Sequence, residues 1–98
     1  VGVEEKVIDV YGVVSSETAC QMAEGIRQAM HTDFGVGITG IAGPDGGTPE
    51  KPVGLVYIAV AGPKHTEVKK NIFSGTRKQI KFQSTQTALN MLRQMLDE

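Results

Sequence analysis

Residues 34–61 read "FGVGITGIAGPDGGTPEKPVGLVYIAVA", a stretch in which a glycine- and proline-rich segment separates two apolar runs. It opens with "FGVGIT", whose β-branched residues predict a buried strand although its glycines weaken the pattern. It closes with "VGLVYIAVA" from Val53 to Ala61, which is almost continuously apolar and predicts a central strand covered on both faces. More than half of the chain's 12 glycines lie between Phe34 and Gly54. The backbone freedom of the chain is therefore concentrated between two strands.

The loop from Gly40 to Pro52 is predicted to be shaped rather than loose. Its prolines fix φ and its glycines permit left-handed conformations, a mixture that Gly/Ser linkers lack. Ligands collect beyond strand ends in α/β folds, where successive backbone N–H groups can hold an anion. Asp45 is then a candidate acceptor for a sugar hydroxyl or an amide. The alternative, which composition leaves open, is an ordered structural turn with Asp45 in an Asx-turn.

Two helices are predicted before this stretch. Val7, Ile8 and Tyr11 stand at helical spacing, so a short helix is predicted over residues 4–11, with Gly12 ending it. Ser15 is a good N-cap for the second helix. The apolar stripe of that helix consists of Ala19, Met22, Ala23, Ile26 and Met30.

A hairpin partner and a long helix are predicted after it. The segment from Thr66 to Phe73 follows a four-residue connection, which suits an antiparallel hairpin and is too short for a parallel crossover. Thr76 and Gln79 fit a capping box that opens the last helix. The predicted fold class is α/β: a layered α/β/α domain with a small mixed sheet.

Composition restricts the function classes. With 98 residues, a net charge of -1 and one cysteine, the chain predicts a single domain with no nucleic-acid partner, internal disulfide or multi-Cys zinc site. No apolar run reaches the roughly 20 residues of a bilayer span, so we expect no membrane partner and a cytoplasmic location. Because the sequence opens with Val1 and Gly2, we expect it to begin partway through a domain that is incomplete at its N-terminus.

Several apparent signals have simpler interpretations. Gly35, Gly37 and Gly40 satisfy G-x-G-x-x-G, but they lie in the strand and no helix follows, which argues against a dinucleotide site. His31 and His65 lack partners at metal-ligand spacing and are predicted to lie on the surface, so no metal site is predicted. Cys20 is predicted to be a small packing residue. A solvated surface is predicted for five basic residues: Lys69, Lys70, Arg77, Lys78 and Lys81.

Three segments together resemble the C-terminal domain of the competence-damage-inducible CinA family, which also exists as a stand-alone nicotinamide-nucleotide amidase. They are "GVVSSETACQMAEGI", "ITGIAGPDGGTPEKPVGLVY" and "FSGTR". The resemblance covers essentially the whole chain. It implies hydrolysis of the carboxamide of nicotinamide mononucleotide to nicotinic acid mononucleotide and ammonia, without a cofactor.

The resemblance also implies roles for individual residues. Thr39 would offer a hydroxyl near the reacting amide, and Arg77 would hold the nucleotide phosphate at a helix N-terminus. Asp45, Gly43, Gly46 and Gly47 would shape the pocket. Composition alone instead favours a strand residue for Thr39 and a solvated side chain for Arg77.

The family's serine nucleophile and its tyrosine and lysine partners belong to A-E-S-C-T-G-G and Y-S-N-x-x-K segments, which this sequence lacks. The family's acidic residue before the arginine is Thr76 here, which leaves the local charge pattern open. We therefore expect residues 1–98 to be the C-terminal part of one amidase domain, with no catalytic residue of their own and a missing N-terminal half as partner. The alternatives are a non-catalytic nucleotide-binding or assembly domain, which allows a homo-oligomer, and a purely structural loop.

Overall fold

The computed structural model describes the backbone of residues 7–10 and all atoms of residues 14–43, 46–49 and 51–98. The elements are β1 (Val7–Val10), α1 (Ser16–Ala29), β2 (Gly35–Gly40), β3 (Leu55–Ala61), β4 (Thr66–Ile72) and α2 (Arg77–Leu96). Within the described residues, the strands form one sheet in the order β1-β2-β3-β4. β1 is parallel to β2, whereas β2, β3 and β4 are antiparallel. The predicted α/β fold with a small mixed sheet is confirmed.

One sequence prediction was wrong. The segment predicted as a helix contains strand β1, in which Val7 is paired with Val36 and Val10 with Thr39. Three apolar residues at helical spacing do not distinguish a helix from a short β-branched strand, and here pairing with the distant β2 determines the structure. Tyr11 and Gly12, which completed the helix prediction, lie outside the described residues.

The two helices cover opposite faces of the sheet. Along β3, Val56, Ile58 and Val60 belong to a core cluster that includes Ile80, Leu92 and other residues of α2. The alternate residues Tyr57, Ala59 and Ala61 pack instead with Ala19 and Ala23 of α1. Since successive side chains of a strand point to opposite faces, this division places the sheet between the helices. The predicted α/β/α layering is confirmed.

The glycines of β2 let α1 approach the sheet closely. A Cβ atom on Gly37 would lie 2.5 Å from the carbonyl oxygen of Ala19 and 2.8 Å from the nitrogen of Ala23. Gly35 faces the helix in the same way and would meet the carbonyl oxygen of Ala23 and the backbone of Arg27. The close approach of the α1 backbone therefore explains why Gly35 and Gly37 lack side chains.

Three strands end at the same edge of the sheet. Because β1 is parallel to β2 and two antiparallel pairings separate β2 from β4, the C-terminal ends of β1, β2 and β4 coincide. The N-cap of α1, Ser15, follows β1 after a short connection, and the N-cap of α2, Thr76, follows β4. The N-termini of both helices and the loop after β2 therefore lie at this edge, which we call the loop edge.

The predicted capping box of α2 is present and provides a stability test. The Thr76 hydroxyl accepts a hydrogen bond from the Gln79 amide at 3.2 Å, and the Gln79 side chain accepts one from the Thr76 amide at 2.8 Å. We expect Thr76→Ala to lower the free energy of unfolding by about 1 kcal/mol, measured by urea denaturation. As a control, Thr85→Ala alters an exposed hydroxyl within α2 that bonds to the Lys81 carbonyl, and it should leave stability nearly unchanged. Equal losses in the two variants would contradict the capping role.

Candidate functional site

Backbone hydrogen bonds hold both ends of the loop after β2. The Ile41 amide donates to the Leu55 carbonyl at 2.9 Å, and the Gly54 amide donates to the Ile41 carbonyl at 2.6 Å. The Leu55 amide donates to the Pro52 carbonyl at 3.1 Å, and Gly54 within this turn has a φ of 97°. A positive φ at this position requires glycine in practice. These hydrogen bonds therefore join the first and last residues of the loop where β3 begins.

A second turn organises the tip of the loop. The Thr48 amide donates to the Lys51 carbonyl at 2.8 Å, and the Lys51 amide donates to the Thr48 hydroxyl at 2.9 Å. These reciprocal bonds satisfy polar groups that an unstructured linker would leave to water. In its described part, the loop is shaped rather than loose, as predicted.

The structure brings Arg77 and Gly43 together. Arg77 is the first residue of α2, and its Nη1 donates a long hydrogen bond of 3.4 Å to the Gly43 carbonyl. Gly43 is buried with a φ of 81°, and a Cβ atom there would lie 2.5 Å from Cγ1 of Val53. The guanidinium therefore links the loop to the N-terminus of α2. Arg77 as a whole is an exposed residue.

Thr39 is buried in β2, on the face of the sheet that α1 covers. It is paired with Tyr57 in the register of β2 and β3, and it lies on the same face as Gly37, which is the face that α1 covers. Its exposed fraction is 0%, so a ligand reaches its hydroxyl only if neighbouring atoms move. Arg77 belongs to the helix on the opposite face. The structure therefore does not place these two candidates side by side, and the role of Thr39 stays a prediction.

The remaining loop candidates fall into two groups. Gly46 and Gly47 are exposed, with Gly46 at a φ of 98° and Gly47 packed against Val53. Their backbone is accessible from solvent, as a pocket wall requires. Asp45 lies outside the described residues, so its predicted contact stays a prediction.

Lys81 is a residue of the loop edge that the sequence interpretation left on the general surface. It is exposed and stands one helical turn after Arg77, where it lines a narrow crevice with Gly40, Ala42 and Ser84. The i, i+4 spacing of two cations on α2 is the signal that identifies it, since such residues share one face of a helix. Arg77 and Lys81 thus lie on the side of α2 that faces the loop.

The charge at the start of α2 favours an anionic ligand. Its first turn holds Arg77 and Lys78 and no acidic residue, so side-chain cations lie beside the positive end of the helix dipole. Positive charge beside the positive end of a helix dipole favours an anion at that end.

Two serine hydroxyls, those of Ser15 and Ser84, have structural partners within their own helices. Ser15 Oγ accepts from the Thr18 amide and donates to the Thr18 hydroxyl at 2.9 Å, and buried Ser84 donates to the Ile80 carbonyl at 2.8 Å. Both bonds stay within the serine's own helix. Neither serine is arranged as an activated nucleophile, because activation needs a base within hydrogen-bonding distance.

Cys20 is predicted to react slowly with alkylating reagents. It is partly buried on α1, and its pKa is raised above the ordinary value first by burial and then by the charges of Glu24 and Glu17. A raised pKa lowers the fraction of thiolate at neutral pH, and the thiolate is the reactive form. We expect iodoacetamide to modify Cys20 more slowly than free cysteine at pH 7. Glu24→Gln should accelerate the reaction, and an unchanged rate would contradict this electrostatic account.

The surface predictions for the other polar candidates hold. His31 and His65 are exposed, as are Lys69, Lys70, Lys78 and Lys81.

Across the described part of the chain, neither helix has both the length and the apolar character needed to cross a membrane.

The fold and the loop edge together define a layered α/β/α domain with a glycine-rich loop against a helix N-terminus. The CinA C-terminal domain family matches residues 1–96, and the chain belongs to that family. The chain is similar to a protein of Moorella thermoacetica that is provisionally named a competence-damage inducible protein, with 55% identity over 91 residues. That match covers 93% of this chain and 22% of the relative.

Two solved structures have the same fold. The competence/damage inducible protein CihA from Agrobacterium tumefaciens matches with a TM-score of 0.83 and 39% identity, over 90% of this chain and 54% of that one. A CinA superfamily protein from Enterobacter cloacae matches with a TM-score of 0.79 and 31% identity, over 85% of this chain and 49% of that one. The chain therefore spans about half of these solved proteins and less than a quarter of the Moorella relative.

Proposed function

We propose that this chain forms the loop and phosphate-binding side of a nicotinamide-nucleotide amidase domain. The reaction adds water to the carboxamide of nicotinamide mononucleotide, breaks the C–N bond and yields nicotinic acid mononucleotide and ammonia. The observation that supports the proposal best is the contact of Arg77 with Gly43, because it joins a cation at a helix N-terminus to the glycine-rich loop. Family membership supports it as well.

In this proposal Arg77 binds the nucleotide phosphate. Its planar guanidinium forms paired hydrogen bonds with phosphate oxygens, and the start of α2 adds backbone N–H groups and a favourable dipole. The exposed backbone of Gly46 and Gly47 borders the ligand, with Asp45 as a further candidate. In this proposal the nucleophile comes from residues outside this chain, because the sequence lacks the A-E-S-C-T-G-G segment that carries the family's serine.

Ammonia release tests the proposal. The 98-residue chain and the longest natural protein that contains it are each incubated with nicotinamide mononucleotide, and ammonia is measured with glutamate dehydrogenase. We expect the longer protein to release ammonia and the chain alone to release none. Strong turnover by the chain alone would show that the catalytic groups lie within it and would overturn the assignment.

The second candidate is a non-catalytic nucleotide-binding domain, which the exposed Arg77 and its loop would serve equally well. This candidate predicts that the longer protein binds the nucleotide but releases no ammonia. Isothermal titration calorimetry measures the binding. A purely structural loop predicts instead that Arg77→Ala and Thr39→Ala leave nucleotide affinity unchanged. A cytoplasmic location and self-association remain predictions in both cases.

A further inference from the structure

Three potential metal ligands converge at the end of the molecule opposite the loop edge. His65 lies at the end of the turn that connects β3 and β4, Glu67 lies in β4, and Glu98 follows the end of α2. One ligand atom from each residue lies within 4.8 Å of the others. His65 and Glu67 are two residues apart in the sequence, and the tertiary structure brings Glu98, at the end of α2, close to both of them.

Both carboxylates lie near the His65 ring without a close hydrogen bond to it. Nε2 of His65 lies 3.6 Å from Oε1 of Glu67, and Nδ1 lies 3.5 Å from Oε1 of Glu98. Both separations exceed the roughly 2.7–3.2 Å of a good hydrogen bond. Ligands about 2.0–2.1 Å from a tetrahedral zinc ion lie roughly 3.3–3.4 Å from each other. The two observed distances are similar but run to different nitrogens of the ring, so these exposed side chains must rotate before one ring nitrogen and both carboxylates can bind the same ion.

Glu67 lies in β4, and backbone hydrogen bonds tie down His65 and Glu98. The Gly62 amide donates to the His65 carbonyl at 2.9 Å and closes the turn, while the Glu98 amide donates to the Met95 carbonyl at 3.3 Å at the end of α2. His65 and Glu98 also line a cavity of about 140 Å³. That space admits the water molecules that complete the coordination of a three-ligand ion. Lys64, which lines the same cavity, is a positive charge that weakens cation binding.

We infer that His65, Glu67 and Glu98 bind a divalent transition-metal cation of the zinc type. An imidazole nitrogen with two carboxylate oxygens suits zinc or cobalt better than magnesium or calcium, which prefer oxygen ligands alone. The bound ion connects the end of α2 to the β3–β4 turn. This site is separate from the loop edge and does not depend on the proposed amidase activity.

Cobalt titration tests the inference, because Co²⁺ in a site of low coordination number has visible absorption bands. The 98-residue chain is titrated with Co²⁺ and then with Zn²⁺ as a competitor, and its thermal unfolding is followed with and without Zn²⁺. We expect a saturable cobalt spectrum with micromolar affinity, displacement by Zn²⁺, and a higher unfolding temperature with metal. Binding only at millimolar Co²⁺ would overturn the inference.

Matched variants locate the site. His65→Ala and Glu98→Gln should each weaken Co²⁺ affinity by about tenfold or more, since even partners of metal ligands contribute 10- to 100-fold. His31→Asn is the control, because His31 is the chain's other histidine and its φ of 53° is one that asparagine tolerates. Equal affinity in His65→Ala and His31→Asn would overturn the assignment. All three side chains are exposed, so these variants should fold.

Discussion

Replacing Gly37 by alanine is expected to destabilise the domain by about 3 kcal/mol or more, a large part of the roughly 5–15 kcal/mol that typically stabilises a domain. The added Cβ would lie within 3 Å of three atoms of α1: the Ala19 oxygen, the Ala23 nitrogen and the Met22 Cβ. None of these is the far end of a flexible side chain. The helix must therefore move away from the sheet and lose the packing of Ala19 and Ala23, which are fully buried.

Gly25 provides the matched control for this prediction. It is an exposed residue inside α1, and a Cβ atom there would meet nothing within 4 Å. Gly25→Ala should raise stability by about 0.5–1 kcal/mol, because alanine loses less conformational entropy in a helix. Urea denaturation of both variants measures the difference. If Gly37→Ala were as stable as Gly25→Ala, the close packing of α1 on β2 would be contradicted.

Arg77→Ala is expected to reduce nucleotide amidase kcat/KM in the longer protein by a factor of about 10 to 150. The range corresponds to the roughly 1.5–3 kcal/mol of a hydrogen bond to a charged group. Arg77→Lys should recover only part of the loss, because an ammonium group keeps the charge but lacks the planar fork that pairs with phosphate. Steady-state kinetics with nicotinamide mononucleotide provide the measurement.

Lys78→Ala is the control for Arg77→Ala. Lys78 is the next cation of α2, is exposed, and lines a groove with Phe82 on the outer side of the helix. Its removal changes the net charge equally but should alter kcat/KM little. Equal losses in the two variants would indicate a general electrostatic effect and not a phosphate contact. Urea denaturation of both variants separates loss of folding from loss of binding.

The helix and strand pattern was largely predictable from local sequence, with one exception. Ser15 and Thr76 cap the two helices as predicted, because capping depends on residues within one turn. β1 was predicted as a helix, because a four-residue strand is defined by its partner in β2 and not by its own periodicity. The residues of such a short segment carry little information about a strand partner that is distant in the sequence.

The candidate site was less predictable than the fold. The proximity of Arg77 and Gly43 joins residues 34 positions apart, and only the family resemblance suggested it. Thr39 is buried on the face of β2 that α1 covers. Only the three-dimensional packing of α1 against Gly37 identifies that face. The grouping of His65 with Glu98 likewise depends on where α2 ends relative to the β3–β4 turn. In each case the missing information was three-dimensional.

Hydrogen–deuterium exchange with and without nicotinamide mononucleotide tests whether the loop edge binds the nucleotide. The method locates the bound ligand on the chain whether or not catalysis occurs. The longest natural protein that contains this chain is used. We predict slower exchange in peptides that cover residues 40–54 and 76–81, and unchanged exchange at the β3–β4 turn, residues 62–65. Unchanged exchange in both the loop and the start of α2 would contradict the claim that this edge of the sheet binds the nucleotide.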